Sequence, residues 1–104
     1  MRLNHWRQYI WKDVPKSRDL FERAFRAGHS ESAAYLGAFY EYGVEYDRDL
    51  PRAYAYYDFS ARHGSQDGEQ MRKKLAETIS PEQAGRARAI LQELNEITSG
   101  VTIY

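Results

Sequence analysis

The chain contains no cysteine, and that one absence removes disulfides, thiolate catalysis and cysteine-ligated metal together. It also lacks an excess of either charge, since fifteen basic residues are matched by fifteen acidic ones. Affinity for a phosphate backbone needs concentrated positive charge, so no nucleic-acid partner is expected. Local runs such as Arg72-Lys73-Lys74 and the Arg86/Arg88 pair read as solvated helix faces. Long apolar runs are missing too. The opening Met-Arg-Leu-Asn-His-Trp is broken by Arg2 and His5, and no later stretch is apolar enough for a signal peptide or membrane span. A cytoplasmic location without a membrane partner is the expectation. Catalytic signatures are equally lacking: no HExxH, no Gly-rich phosphate loop, no nucleophile elbow. His5, His29 and His63 have no metal-ligand spacing, and Asp47 and Asp49 suit loop and capping roles better than acid–base chemistry. Neither metal, cofactor nor enzymatic activity is expected.

What the chain does have is aromatic residues and an internal echo. Nine Tyr, four Phe and two Trp exceed what a core of this size can absorb, and tyrosine suits both half-buried seams and binding surfaces. Asp13-Val14-Pro15-Lys16-Ser17 leads to Gly28, and Asp49-Leu50-Pro51-Arg52-Ala53 leads to Gly64, 36 positions further on. The same offset matches Leu20 with Tyr56, Phe21 with Tyr57, Glu22 with Asp58 and Arg26 with Arg62. A period of this length is the mark of a repeat architecture, in which each unit buries its apolar face against its neighbours.

Helical spacing dominates, and strand signals are nearly absent before the last five residues. Six helices are expected, over residues 2–11, 15–28, 30–43, 51–64, 66–78 and 81–97, in one domain of residues 1–98 followed by a tail over 99–104. Leu3, Trp6 and Ile10 share a face of the first. Asp13 and Asp49 are placed to cap the second and fourth, with Pro15 and Pro51 in their first turns and Gly28 and Gly64 as stops. Ser30 is placed to cap the third, and Gly37 within it implies a closely approaching neighbour. Met71 and Leu75 are spaced by four in the fifth. Ser80-Pro81-Glu82-Gln83 carries a capping box at the start of the sixth, whose apolar positions are Ala87, Ile90, Leu91 and Leu94.

The segment Ala33-Ala34-Tyr35-Leu36-Gly37-Ala38-Phe39-Tyr40 contains Leu-Gly-x-x-Tyr. It is followed by Gly43-Val44, an Asp-bearing loop and Arg52-Ala53-x-x-Tyr56-Tyr57-x-x-Ser60-Ala61-x-x-Gly64. This resembles the Sel-one-like repeat family, a branch of the tetratricopeptide-like α/α solenoids. One complete unit covers about residues 30–64, with a half-unit over 13–28 and a degenerate terminal unit over 66–97. Tyr56 stands where the family has Trp, Ser60 where it has Ala and Glu41 where a loop Gly is common, and the loop before Arg52 is about two residues longer than usual. The resemblance implies an all-α fold, a short right-handed α-α superhelix, and a role in binding another protein as adaptor or scaffold. It also admits an immunity or inhibitor protein that blocks a toxin or enzyme. Exposed repeat ends would further allow self-assembly into homo-oligomers.

Signature residues of such repeats encode stacking, so contact residues are sought among the others. Tyr35, Phe39 and Tyr42 fall at i, i+4 and i+7, displaced from the Ala33/Leu36/Gly37/Tyr40 stripe, and Met71 and Leu75 lie 36 beyond Tyr35 and Phe39. In related solenoids the first helix of each pair lines the concave surface, so these five form the expected partner-binding stripe. The competing expectation is that the first helix, through Trp6 and Ile10, covers it. Tyr46 and Arg48 in the loop, and Tyr54 on the fourth helix, are further contact candidates.

Overall fold

The structure, a computed structural model, describes residues 13–99. The expected helix over residues 2–11 and the tail beyond Ser99 lie outside the described residues. Five helices fill the rest: α1 (Val14–Arg26), α2 (Ser30–Tyr42), α3 (Leu50–Arg62), α4 (Gln66–Ala76) and α5 (Pro81–Ser99). There is no strand among the described residues. The fold is all-α, and each helix begins and ends within one or two residues of its expected bounds.

The 36-residue echo is realised in the backbone hydrogen bond by hydrogen bond. Asp13 and Asp49 each accept from the N–H three residues on, at 3.1 Å in both cases. Both capped helices are thirteen residues long. They close through equivalent bonds, His29 N–H to the Ala24 carbonyl and Ser65 N–H to the Ser60 carbonyl, each 2.9 Å. Gly28 (φ 90°) and Gly64 (φ 97°) take the left-handed conformation between those bonds, where a Cβ is disfavoured. The next helix then starts two residues later in each copy. Its cap differs from the expectation in one instance: His29, not Ser30, caps α2, its Nδ1 accepting from Ser32 N–H, as Ser65 Oγ accepts from Gly68 N–H for α4. A ring nitrogen serves here because it reaches the same orphan donor as a hydroxyl. Glu31 and Asp67, both in the first turn of their helices, sit where the N-terminal dipole favours negative charge. Ser80 and Gln83 form the reciprocal capping box of α5.

Helix α3 is the hub, packing against α2, α4 and α5 and buried along almost its whole length. One side, Ala53 and Tyr57, meets Tyr35, Met71 and Leu75. The other, Ala55, Tyr56 and Phe59, meets Phe25, Leu36, Ala87 and Leu94. Small residues allow the close crossings. A Cβ on Gly37 would lie 2.7 Å from the Tyr57 ring and 3.1 Å from the Ala53 carbonyl oxygen, and one on Gly68 would lie 1.8 Å from Ser60 Oγ.

Helix α5 departs from a plain continuation of the series. It packs along α3 and touches α1, and it does not lie along α4, the helix it follows. The cause is visible on comparing α2 with α4. Ala33, Ala34, Leu36 and Gly37 are buried in α2, and the residues 36 further on are Glu69, Gln70, Arg72 and Lys73. Glu69, Gln70 and Lys73 are exposed. Docking a helix there would desolvate charges without apolar return. Ala87 and Leu94 of α5 seat instead against Phe25, Tyr56 and Phe59, on the apolar surface shared by α1 and α3.

Candidate functional site

Four of the five residues of the expected stripe are interior, and three of them, Tyr35, Met71 and Leu75, share one cluster. Tyr35, Phe39, Met71 and Leu75 are all at most 5% exposed. Phe21 of α1 lies on Tyr35 at 4.7 Å between ring centroids and on Phe39 at 5.8 Å. Met71 and Leu75 join Tyr35 in one cluster around Ala53 and Tyr57. The expectation of a free concave surface at these four positions is therefore corrected. Phe21 of α1 thus packs on both rings, and the alternative cover by Trp6 and Ile10 lies outside the described residues. Tyr42, one turn further along α2, is 66% exposed. Tyr54 is half-buried against both core clusters.

The loop candidates occupy a more organised place. Residues 43–49 fold back over the C-terminal end of α2. Val44 N–H bonds to the Phe39 carbonyl at 2.8 Å and Asp49 N–H to the Tyr40 carbonyl at 3.0 Å. Arg48 donates from Nε to the Glu41 carbonyl at 3.0 Å, which keeps its guanidinium at the surface beside the turn. Tyr46 turns inward. Its ring stacks on Tyr40 at 4.1 Å and 13°, and its hydroxyl donates to Glu22 Oε1 of α1 at 2.5 Å. Tyr40 continues the ladder onto Tyr56 at 5.5 Å and 12°, and Phe25 closes it edge-on at 5.2 Å from Tyr56. The Arg52 guanidinium stands 5.8 Å from the Tyr40 ring centroid, within cation–π range. Arg18 reaches Glu45 at 3.3 Å and ties the loop to α1 a second time.

The Tyr46 and Tyr57 phenols are hydrogen-bond donors that hold their protons. Burial, reinforced by the hydrogen bond to Glu22, pushes the Tyr46 hydroxyl far above the usual tyrosine range. Burial does the same to Tyr56, and burial with the nearby Glu41 carboxylate to Tyr57, which donates to Glu41 Oε1 at 2.7 Å. Tyr40 is raised by burial as well. Glu22, Tyr40, Arg52 and Tyr56 were not among the sequence-expected contact residues. Tyr40 and Tyr56 belong to the stacking signature, and nothing in local spacing announces that a loop 24 residues downstream will return to Glu22.

Elsewhere, the far ends of α1, α3 and α5 meet around a cavity of about 260 Å³ lined by Gly28, Phe59, His63, Asn95, Thr98 and Ser99. His63 stacks on Phe59 at 4.2 Å. None of the expected contact residues lines it. Among the described residues no group of three or more His, Asp or Glu side chains is placed to hold a metal ion, and no described helix is long and apolar enough to cross a membrane. Comparison of the chain with protein-family models, with curated proteins and with solved structures finds no match.

Proposed function

We propose that this chain is a protein–protein interaction module, an adaptor or scaffold built as a short Sel-one-like, tetratricopeptide-like solenoid. The observation that supports this best is the backbone repeat: two successive helix starts and stops made with the same bonds, 36 residues apart. Repeats of this kind present surface on a rigid stack, and their signature residues are consumed in the stacking. The contact surface on this reading is the loop end of the stack, where exposed Tyr42 and Arg48 flank half-buried Tyr46 and Arg52. Tyrosine and arginine are the residues that interface centres favour. Self-assembly by end-to-end stacking has less support. The α1 positions equivalent to buried Ala55, Tyr56 and Phe59 are exposed Asp19, Leu20 and Arg23, a mostly polar face.

The test is capture of a partner by the purified chain, re-binding with that partner purified, and titration against a Tyr42→Ala/Arg48→Ala variant. A loss of about tenfold or more in affinity is expected for removal of two interface anchors. Unchanged affinity would move the surface elsewhere, and no partner retained above a scrambled control would sink the reading. A captured enzyme whose turnover stops on binding would make the module an inhibitor.

A further inference from the structure

The loop of residues 43–49 carries the one non-glycine residue with positive φ among the described residues, Glu45 at 64°. A side chain of this size rarely adopts that conformation, and its cost is borne where surrounding contacts over-determine it. Here those contacts are the ion pair of Glu45 itself with Arg18 and the seating of its neighbour Tyr46. Tyr46 does not belong to a helix. It arrives from a loop as the outermost ring of a ladder whose other members, Tyr40, Tyr56 and Phe25, are all mounted on helices. The site it fills has a flat aromatic floor in Tyr40, a carboxylate acceptor in Glu22 aligned with the hydroxyl, and the Arg52 guanidinium over the same Tyr40 ring. That is the chemistry that recognises a phenol: a ring to stack on and an anionic acceptor at its tip.

We propose that this is a tyrosine-binding slot which the chain fills with its own Tyr46, and that a tyrosine side chain from a partner polypeptide enters it when the loop swings out. The proposal rests on the reading of the chain as an interaction module and names the partner's chemistry. Everything but Tyr46 stays on α1, α2 and α3 when the loop leaves, so the slot is preformed. Tyr46 acts as a tethered competitor, and tethering gives it an effective concentration in the millimolar range or above. A free phenol must displace it.

The test uses p-cresol, the tyrosine side chain without its backbone, titrated into the full chain and followed by amide NMR shifts. Tyr46→Ala leaves the slot empty and is expected to bind p-cresol saturably, with the shifts centred on Tyr40, Glu22 and Tyr56. The wild-type chain should bind about tenfold more weakly or worse, because its own ring competes. Tyr46→Ala/Glu22→Gln should lose most of the gain, as the anionic acceptor becomes a neutral one. If folded Tyr46→Ala shows no saturable shift, the slot is overturned. If wild type binds p-cresol as tightly as Tyr46→Ala, the competition is overturned. Should Tyr46→Ala not fold, Tyr46→Phe carries the test: it keeps the ring and drops the bond to Glu22, and its p-cresol affinity must exceed the wild-type value. Each readout needs no partner protein, so failure here is distinct from failure to find one.

Discussion

At the scale of single residues, the crossings of α3 with its neighbours are decided by which side carries the missing atoms. Position 68 is glycine because Ser60 Oγ occupies the space a Cβ would take, and Ser60 in turn donates to the Tyr57 carbonyl at 2.8 Å. Gly68→Ala gains roughly 1 kcal/mol of helix propensity but must separate two packed helices. Overpacking of this kind costs about 1–3 kcal/mol, so a net loss is expected in urea unfolding, lowered in midpoint with unchanged slope. Ser60→Gly in the same chain should return part of it by vacating the space. The phenols belong to this scale as well. Tyr40, Tyr46, Tyr56 and Tyr57 all have pKa values raised by burial above the ordinary 10.0. Above pH 10 the unfolded chain loses those protons while the folded chain keeps them, so the unfolded state binds fewer and stability falls as pH rises. Below pH 10 this contribution is fully present. Thermal midpoints measured between pH 8 and 11.5 should hold level to about pH 10 and then drop, and Tyr46→Phe should make the drop shallower.

At the scale of elements, α4 shows how one surface ends a series. Its inner residues, Met71 and Leu75, join Tyr35 in one buried cluster, whereas Glu69, Arg72 and Lys73 replace Ala33, Leu36 and Gly37. Arg72 is used as a tie: it donates to buried Asp58 at 2.7 Å, where Arg62 also binds at 3.0 Å. A face of this composition offers α5 no apolar surface to dock on. Glu69→Ala, Arg72→Leu and Lys73→Gly together would rebuild the receptive face of α2 on the outside of the molecule. The triple variant is expected to self-associate more strongly in sedimentation than the wild-type chain at the same concentration. A variant that sediments like the wild type would mean that charge on α4 is not what stops the series. The helices themselves were legible beforehand, since caps, first-turn prolines and stop glycines are local chemistry. The path of α5 was legible only in the negative, through the missing Leu-Gly of α4.

At the scale of the whole molecule, one amphipathic pattern met different environments along its length. Helical spacing put Tyr35, Phe39, Tyr42, Met71 and Leu75 on a common stripe; the structure gathers Tyr35, Met71 and Leu75 in one buried cluster, buries Phe39 against Phe21 and leaves Tyr42 exposed. Whether the stripe faced water or a neighbour was decided by residues on other helices, Phe21 of α1 and Ala53 and Tyr57 of α3 among them. Tyr46 was one loop residue among several until the chain reversal brought it to Glu22. By itself the sequence determined where the helices start and stop, the 36-residue step between equivalent positions and the all-α class, because capping, glycine conformation and periodicity act within a few residues of chain. Tertiary structure alone decided which aromatic face is buried, where α5 lies and which tyrosine completes the ladder. Those outcomes depend on contacts between residues distant in sequence, whose apolar areas compete for the same neighbours.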